Sequence, residues 1–443
     1  MTERSRRRTD LATAWMVAWG AACLGAETGR SPRDGWDFKF KDFVIAAWCP
    51  PAPADAEYRF YKEAGFNLVM GPRYPLPDQA LALAAKHGLM VMIDTYTPNN
   101  KPWGGKAGKY TPHPNHHPAT LPELKWLHAR YGKHPALAGY LLGDDYGALP
   151  PELIETSDWL RKNAPHLFPW ICQNRFSPQS LAQRGNPLAN PQIYPTLYNR
   201  DLPAAKQAER FCEALERLRE SCLRYDLIAW PMFNVSGINT NAKIESDSLV
   251  RFQVYASLAY GAQGIWYFTY RGYGSLCGGK EGGKAFETVE QVKAQLDPKW
   301  SVAKRANHRV AAWGPKLLGR KAGQVYHTGP WPARTSPLLW RRTERPGPDK
   351  LIVRMSDDVL IGVLEKDGHA PLAMVVDKRV DTRFKGTGPR AAEIRFADTV
   401  TSIGVPEKAA TRTVNGNTIK LDLPAGGGQL LELKNEVRSR STK

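Results

Sequence analysis

The hydrophobic pattern of residues 43–270 alternates between short apolar runs and longer amphipathic segments. The apolar runs are rich in β-branched and aromatic residues, and several are uninterrupted, as is typical of strands buried on both faces of a parallel sheet. Eight such strands are predicted: Phe43–Trp48, Phe66–Gly71, Leu89–Asp94, Leu137–Gly143, Phe168–Gln173, Gln192–Tyr198, Leu227–Phe233 and Gly264–Tyr270.

Helices are predicted between these strands, and several have recognisable ends. Two amphipathic segments stop at Gly65 and Gly88, and a glycine in the left-handed conformation commonly follows the last helical residue. Pro150 and Pro151 begin another helix, because a proline at the first position loses no hydrogen bond. Eight strand–helix units without a G-x-G-x-x-G turn predict an α/β fold of the (β/α)8 TIM-barrel type, not a dinucleotide-binding sheet.

The pattern changes after the turn-rich segment 329–337, where short strands and tight turns replace the helices. Asp367-Gly368 and Asn415-Gly416 are strong hairpin signals. A C-terminal antiparallel β-sandwich is therefore predicted, either as a stabilising appendage or as a sugar-binding module. Its predicted strands are Leu351–Met355, Val359–Glu365, Pro371–Lys378, Ala392–Asp398 and Asn417–Pro424.

The first residues have the pattern of a secretory signal peptide. Arg4–Arg8 is basic, Leu11–Leu24 is mostly apolar but short for a bilayer span, and small residues follow at Gly25 and Ala26. Gly20 argues against a lipoprotein anchor at Cys23. We expect a secreted or periplasmic protein without an integral membrane span in its mature chain. The expected segments are a signal peptide at 1–26, the barrel at 27–325, the β-sandwich at 326–436 and a basic tail at 437–443.

Composition narrows the class of ligand. The chain has 14 Trp and 17 Tyr, and such rings can stack on the apolar faces of sugars. Its formal charge is +18, but part of this excess lies in the two tails and the rest is dispersed. No zinc-finger, P-loop or RNA-binding motif is present, so nucleic acid is not expected as a partner, nor is a cofactor. A carbohydrate substrate fits better, and an anionic one would also match the charge.

Active sites of β/α barrels lie at the carboxyl ends of the strands, and here those positions are polar or aromatic. After strand four, the segment Gly139–Gly147 (GYLLGDDYG) brings the adjacent carboxylates Asp144 and Asp145 to the barrel mouth. At least one of them could protonate a departing glycosidic oxygen, or both could be structural. The substrate-binding candidates are Trp48, Asp94, Tyr96, Asn174, Arg175, Tyr198, Asp201, Trp230, Asn234, Tyr270 and Arg271.

The segment Gly139–Gly147 is similar to the GYxLxDEP segment at the end of strand four in glycoside-hydrolase-like barrel proteins. Segment 251–271 resembles the seventh helix and eighth strand of the same proteins, and segment 301–329 resembles their closing helix and exit into a sandwich. The resemblance implies a barrel glycosidase distantly related to two-domain β-galactosidases. It also implies that Asp145 is the general acid, although Asp145 takes a Glu position and Tyr146 takes a Pro position.

A glycosidase normally uses a second carboxylate, which the resemblance places at the end of strand seven. This chain has Asn234 there, so the second catalytic group stays open. Glu245 is the leading candidate, because its loop can reach over the mouth. Asp247 in the same loop, Asp94 and Asp201 are alternatives.

Three functions are therefore compared. The first is a glycoside hydrolase with Asp145 as general acid and Asp144 tuning or positioning it. The second is a carbohydrate-binding barrel that has lost its second carboxylate. The third is metal-dependent hydrolysis at His113, His116 and His117, although a solvated or substrate-contacting loop is the favoured interpretation of these histidines, and no metal is predicted.

Overall fold

The fold is that of a computed structural model. It describes residues 31–38, 42–70, 77–95, 120–146, 149–174, 176–194, 202–236, 246–272, 274–279, 283–329, 344–381, 388–406 and 411–435. The predicted signal peptide lies outside these residues. So do eight residues named above as site candidates or alternatives: Tyr96, His113, His116, His117, Arg175, Tyr198, Asp201 and Glu245.

A curled parallel sheet of eight strands forms the barrel, with the spatial order β5-β4-β3-β2-β1-β10-β9-β7. A bridge between Gln173 and Pro191 joins the two ends, so that the sheet closes. This architecture confirms the predicted barrel. The strands are β1 Val44–Ala47, β2 Leu68–Met70, β3 Met90–Asp94, β4 Leu137–Gly143, β5 Phe168–Ile171, β6 Leu188–Ala189, β7 Gln192–Ile193, β8 Ile228–Ala229, β9 Met232–Asn234 and β10 Gly264–Phe268.

The predicted seventh strand is continuous in the sequence pattern but is broken in the structure. Trp230 and Pro231 separate β8 from β9, and Asn190 and Pro191 separate β6 from β7 in the same way. Because proline has no N–H to donate, both strand pairs are interrupted at the same level. The β6–β8 pair therefore forms a small sheet of its own beside the eight-stranded one.

Helices connect the barrel strands as predicted, and Gly65 and Gly88 have the expected positive φ angles of 79° and 61°. The described helices are α1 Asp55–Glu63, α2 Pro77–His87, α3 Leu121–Tyr131, α4 Pro151–Asn163, α5 Pro178–Gln183, α6 Ala204–Tyr225, α7 Asp247–Ala259, α8 Val289–Lys293 and α9 Pro298–Leu317. None of these described helices combines the length and apolar character needed to cross a bilayer.

Side chains alternate along each barrel strand, and this alternation separates two apolar layers. Ala46, Met92 and Trp266 belong to the cluster inside the barrel. Their strand neighbours Ile45 and Ile93 belong to a larger cluster under the surrounding helices. A side chain two residues beyond an inward-facing one on the same strand therefore also faces the barrel interior.

The C-terminal part is an antiparallel β-sandwich, as predicted. One sheet has the order β11-β13-β14-β19-β16-β17 and the other has the order β12-β15-β18. Side chains of both sheets form one apolar core. The strands are β11 Lys321–His327, β12 Ile352–Met355, β13 Val359–Glu365, β14 Leu372–Asp377, β15 Arg390–Phe396, β16 Val400–Pro406, β17 Thr411–Asn415, β18 Thr418–Leu423 and β19 Gly428–Asn435.

The larger sheet packs on α7 at very short range. A Cβ placed on Gly362 of β13 would stand 1.7 Å from the carbonyl oxygen of Ala259. A Cβ on Gly428 of β19 would stand 2.6 Å from the ring of Tyr255. The absence of side chains at these positions therefore lets the sheet approach the helix and join the sandwich to the barrel.

Candidate active site

Inward-facing polar side chains line the carboxyl end of the barrel. Asp94 follows inward Met92 by two residues in β3, and Asn234 follows inward Met232 by two residues in β9. Both are buried, with relative exposures of 3% and 1%. Alternation therefore places them in the uppermost layer of the barrel interior.

Asp144 and Asp145 directly follow β4, whose pairing with β5 shifts register between Leu141 and Gly143. The two carboxylates have different surroundings. Asp144 is 8% exposed and lies beside the thiol of Cys172. Asp145 is half-buried and has a positive φ angle of 62°. This left-handed backbone conformation is uncommon outside glycine and turns Asp145 away from the regular strand path.

Gln192 connects the two acidic residues to the other side of the barrel. Its Nε2 donates a hydrogen bond of 2.6 Å to Oδ1 of Asp145 and lies 3.1 Å from Sγ of Cys172. Gln192 begins β7, whereas Asp145 follows β4. Asp145 is thus held by a side chain from a strand on the far side of β5.

The Cys172 thiol is fully buried in this cluster. Burial raises its pKa well above the usual range, and the negative charge of Asp144 raises it further. The thiol therefore stays protonated at neutral pH and lacks the thiolate character of a nucleophilic cysteine. Its role is to pack between the carboxylate and the amide.

Aromatic rings fill the barrel directly below the mouth. Trp170 and Trp266 are stacked with centroids 4.3 Å apart, and Trp48 packs on Trp170 at 5.7 Å. Tyr194 packs on half-buried Phe268 at 5.0 Å. Among the aromatic substrate-binding candidates in the described residues, Trp48 alone belongs to the cluster inside the barrel and follows the end of a strand of the eight-stranded sheet, and it is 6% exposed.

Trp230 does not lie at the mouth, which corrects its assignment as a substrate-binding residue. Its indole packs on Phe168, the first residue of β5, at 4.9 Å. It also lies 2.8 Å from the Cβ position of Gly264, the first residue of β10. Because both contacts are at the amino ends of strands, Trp230 forms the bottom of the barrel core.

The assignment of Tyr270 as a substrate-binding residue is also corrected, since its ring lies outside the barrel wall. It is fully buried and packs edge-on against Tyr61 at 4.8 Å and Phe66 at 5.8 Å. These rings belong to the apolar layer under the helices. Phe268 is the last residue of β10, so Tyr270 no longer follows the strand's alternation of side chains into the barrel. Its ring therefore cannot present a face to a sugar in the mouth.

The assignment of Arg271 as a substrate-binding residue is also corrected, because its side chain is buried at 2% exposure and contacts other parts of the chain. Its Nε lies 3.5 Å from Oε2 of Glu57, and its Nη2 donates to the carbonyl of Lys284 at 2.9 Å. The guanidinium also stacks over Phe286 at 4.7 Å. Arg271 therefore fastens the segment after β10 to the start of α1.

The remaining candidates differ in their surroundings. Asn174 is exposed beyond β5. Nδ2 of Asn234 donates to the carbonyl of Ser236 at 3.3 Å, and its backbone oxygen accepts from Gln253. Asp247 begins α7 and forms an ion pair of 2.6 Å with Arg251. Tyr96, Arg175, Tyr198, Asp201 and Glu245 lie outside the described residues.

Within the described ranges, no group of three His, Cys, Asp or Glu side chains could hold a metal ion. The histidines at 113, 116 and 117 lie outside those ranges. What the described residues provide is a pair of unequally buried carboxylates, two amides and an aromatic floor. These groups can bind hydroxyls and exchange protons with a ligand.

Three residues of this site were not among the sequence candidates: Cys172, Gln192 and Tyr194. Cys172 and Gln192 lie inside predicted strands, whereas most of the sequence candidates lie at or just after the strand ends. Tyr194 was assigned to a strand without a site role. Side chains two residues apart on a strand face the same side. Cys172 could therefore have been placed in the barrel interior from Trp170, and Tyr194 shares its side with Gln192.

Comparison with known proteins places the fold among glycoside hydrolases. No family model matches the sequence, and no curated protein matches it. A catalytic mutant of a GH42 β-galactosidase from G. stearothermophilus is similar in structure, with a TM-score of 0.57 and 8% identity, over 89% of this chain and 99% of that chain. A glycoside hydrolase family 5 protein from Bacteroides vulgatus has a TM-score of 0.53 and 11% identity, over 90% of both chains. The two-domain glycosidase-like fold implied by the sequence resemblance is thus confirmed.

Proposed function

We propose that this protein is a secreted glycoside hydrolase that cleaves O-glycosidic bonds of an oligo- or polysaccharide. The observation that carries the proposal is the acidic pair after β4, in which Asp144 is buried against Cys172 and Asp145 is held by Gln192. Glycosidases need a carboxylic acid beside the scissile bond. The similarity in fold to glycoside hydrolases supports a sugar as the ligand.

Asp145 is the proposed general acid. The amide of Gln192 occupies Oδ1, which leaves Oδ2 to carry the proton. Transfer of this proton to the glycosidic oxygen neutralises the leaving group as the C–O bond breaks, and a water molecule supplies the new oxygen at the anomeric carbon. Asp144, which is buried beside the Cys172 thiol, is proposed to position Asp145.

A second carboxylate would activate the water or attack the sugar itself. Glu245 remains the first choice, with Asp94 and Asp201 as alternatives. Asp94 is the one of these three whose position is described, and it is buried on the strand beside β4. Asp247, the other alternative from the sequence, is a poorer choice, because Arg251 already pairs with its carboxylate.

The test is hydrolysis of a panel of neutral, uronic and sulfated oligosaccharides by the mature chain and by Asp145→Asn. We expect turnover of at least one glycan and a loss of about 10²–10⁴-fold in kcat in the variant, the usual contribution of general acid–base catalysis. The control Asp158→Asn removes an exposed carboxylate that pairs with Arg161 in α4, and it should retain full activity. Equal activity of Asp145→Asn and the control would refute the assignment.

A non-catalytic sugar-binding barrel is the second candidate, and the observation that favours it is Asn234. This neutral amide stands at the end of β9, where the related glycosidases are expected to carry an acid. Binding of a glycan without turnover, unchanged in Asp145→Asn, would select this alternative.

A further inference from the structure

A second candidate binding site lies outside the barrel mouth. A groove of about 320 Å³ runs between the end of α9, the turn joining β13 to β14, and β19. At the same end of α9, a Cβ on Gly314 would stand 2.9 Å from Phe43, the residue before β1. The groove is therefore at the amino end of the barrel strands, opposite to the acidic pair.

Basic side chains surround this groove. Lys316, Arg320, Lys366 and Lys434 line it together with His369, whereas Glu432 is the single acidic residue among the described residues of the lining. The lysines and the histidine are exposed. An excess of positive charge in a concave surface attracts anions.

Arg320 gives the groove a fixed cationic base. It is 7% exposed, and its Nε donates to the carbonyl of Lys316 at 2.7 Å. Its Nη1 donates to the carbonyls of Leu364 and Ala370 at 3.1 and 2.8 Å. These bonds hold the guanidinium plane in place without neutralising it, so little ordering entropy is lost when an anion binds.

Lys316 already pairs with Glu432 at 2.8 Å, and Lys366 donates a long hydrogen bond of 3.4 Å to the carbonyl of Leu318. One carboxylate therefore offsets one of the cations. Lys366 and Lys434 form no ion pair with a described residue, and their ammonium groups are accessible to a ligand.

Apolar surface forms the rest of the lining. Pro315 and Ala370 are exposed at the rim, and Leu372 and Leu433 lie deeper. A pyranose ring with a carboxylate or sulfate matches this combination, because its C–H face can cover the apolar atoms while its anion meets the lysines. A nucleic acid would instead be expected to follow a longer basic track with stacking aromatic rings, and no aromatic residue is among the described residues of this lining.

We propose that this groove is a secondary binding site for an anionic sugar residue of a polysaccharide. The choice of a sugar among anionic ligands rests on the proposed function, whereas the preference for an anion rests on the groove alone. Such a site would hold the polymer on the face opposite to the mouth, so it would increase the local concentration of substrate without taking part in catalysis.

The experiment measures binding by the full mature chain carrying Asp145→Asn, which prevents cleavage during titration. The ligands are polygalacturonate, chondroitin sulfate, a neutral glucan of equal length and a single-stranded DNA oligonucleotide. The groove variant is Lys366→Glu with Lys434→Glu. The control is Arg395→Glu with Lys420→Glu, which has the same change in charge at exposed positions of the smaller sheet. Melting temperatures verify that both variants are folded.

We expect one anionic glycan to bind and the groove variant to lose at least about tenfold in affinity, or 1.4 kcal/mol. The control should lose much less, and the two anionic ligands identify whether the groove prefers carboxylate or sulfate. Equal losses in both variants would show only general charge attraction, and binding of DNA in preference to glycans would replace the proposal. Both results would overturn it.

The proposed binding site in the groove and the proposed hydrolase activity at the mouth can be refuted separately. Groove-dependent binding without hydrolysis of any glycan by the native chain would reject the proposed function but keep the anionic site. Hydrolysis with unaltered binding in the groove variant would reject the site alone. Hydrolysis of a short glycoside should be the same in the native chain and in the groove variant with Asp145 restored.

Discussion

Nε2 of Gln192, at the start of β7, donates a hydrogen bond of 2.6 Å to Oδ1 of Asp145, which follows β4 on the other side of β5. The same nitrogen lies 3.1 Å from Sγ of Cys172, which neighbours Asp144. This contact holds the carboxylate of Asp145, whose backbone has a positive φ angle and leaves the regular strand path. Gln192 is therefore a positioning residue for the proposed general acid.

Removal of this contact should impair catalysis more than folding. For Gln192→Leu we expect kcat to fall about 10²-fold on a glycoside with a poor leaving group, because small misplacements of a catalytic group have effects of this size. The loss should be much smaller on a nitrophenyl glycoside, whose leaving group needs little protonation. Steady-state kinetics on the two substrates give this comparison.

Gln183→Leu is the matched control, since Gln183 is exposed at the end of α5. Its kinetics should equal those of the native chain. A Gln192→Leu defect of the same size on both substrates would contradict the positioning role and indicate general damage to the site.

The sequence pattern predicted the strands better than it predicted the site. All eight barrel strands were located, because buried parallel strands have long apolar runs that few other elements produce. The site required knowledge of where each strand ends. Tyr270 was placed in the mouth by extending strand eight, but β10 stops at Phe268 and the chain then leaves the barrel interior. Trp230 was misplaced because Pro231 breaks its strand.

Contacts between distant strands were also beyond the pattern. The bond from Gln192 to Asp145 depends on the closure of the sheet between Gln173 and Pro191. Local periodicity contains no information on which side chains meet after closure. The adjacent carboxylates were nevertheless found, because their position after a buried strand is a local property.

Arg271 should act on stability and not on substrate binding. The ion pair with Glu57 has both side chains 1% exposed, and removal of one partner leaves a buried charge. For Arg271→Met we expect a loss of about 3–5 kcal/mol in the free energy of unfolding. Arg130→Met breaks an exposed pair with Asp78 and should cost about 0–1 kcal/mol. Denaturant unfolding compares the two, and a raised KM with native stability would restore the substrate-binding role.

Gly362 should be required for docking of the sandwich. A methyl group there would overlap the carbonyl oxygen of Ala259, and backbone on both sides leaves no flexible group to move. We expect Gly362→Ala to cost about 1–3 kcal/mol, as overpacked cores do. Gly388→Ala is the control, because nothing lies within 4 Å of its Cβ position. Equal melting temperatures of the two variants would contradict this packing.

Lys378 follows β14 and is buried at 2% exposure beside helix α6. Burial lowers the pKa of its ammonium group to about 7, although the thiol of Cys212 and the carboxylates of Asp358, Glu209 and Asp357 act in the opposite direction. In the unfolded chain the pKa is close to the ordinary lysine value. Between these two values the unfolded state therefore binds more protons than the folded state.

The contribution of Lys378 to the free energy of unfolding should consequently become less unfavourable as the pH increases from about 7 toward 10, the window set by its folded and unfolded pKa values. Lys378→Met removes the titrating group, so its advantage over the native chain should be largest at pH 7, on the order of a few kcal/mol, and smaller at pH 9.5. Both pH values lie above the range in which His327 would take up a proton, because burial lowers the pKa of that imidazole well below 6.5. Melting temperatures of the two proteins at both pH values measure the change.

The control Lys420→Met alters an exposed lysine and should show no such pH dependence. A difference for Lys378→Met that is constant with pH would mean that Lys378 is charged in the folded protein throughout this range, stabilised by Asp358 and Glu209.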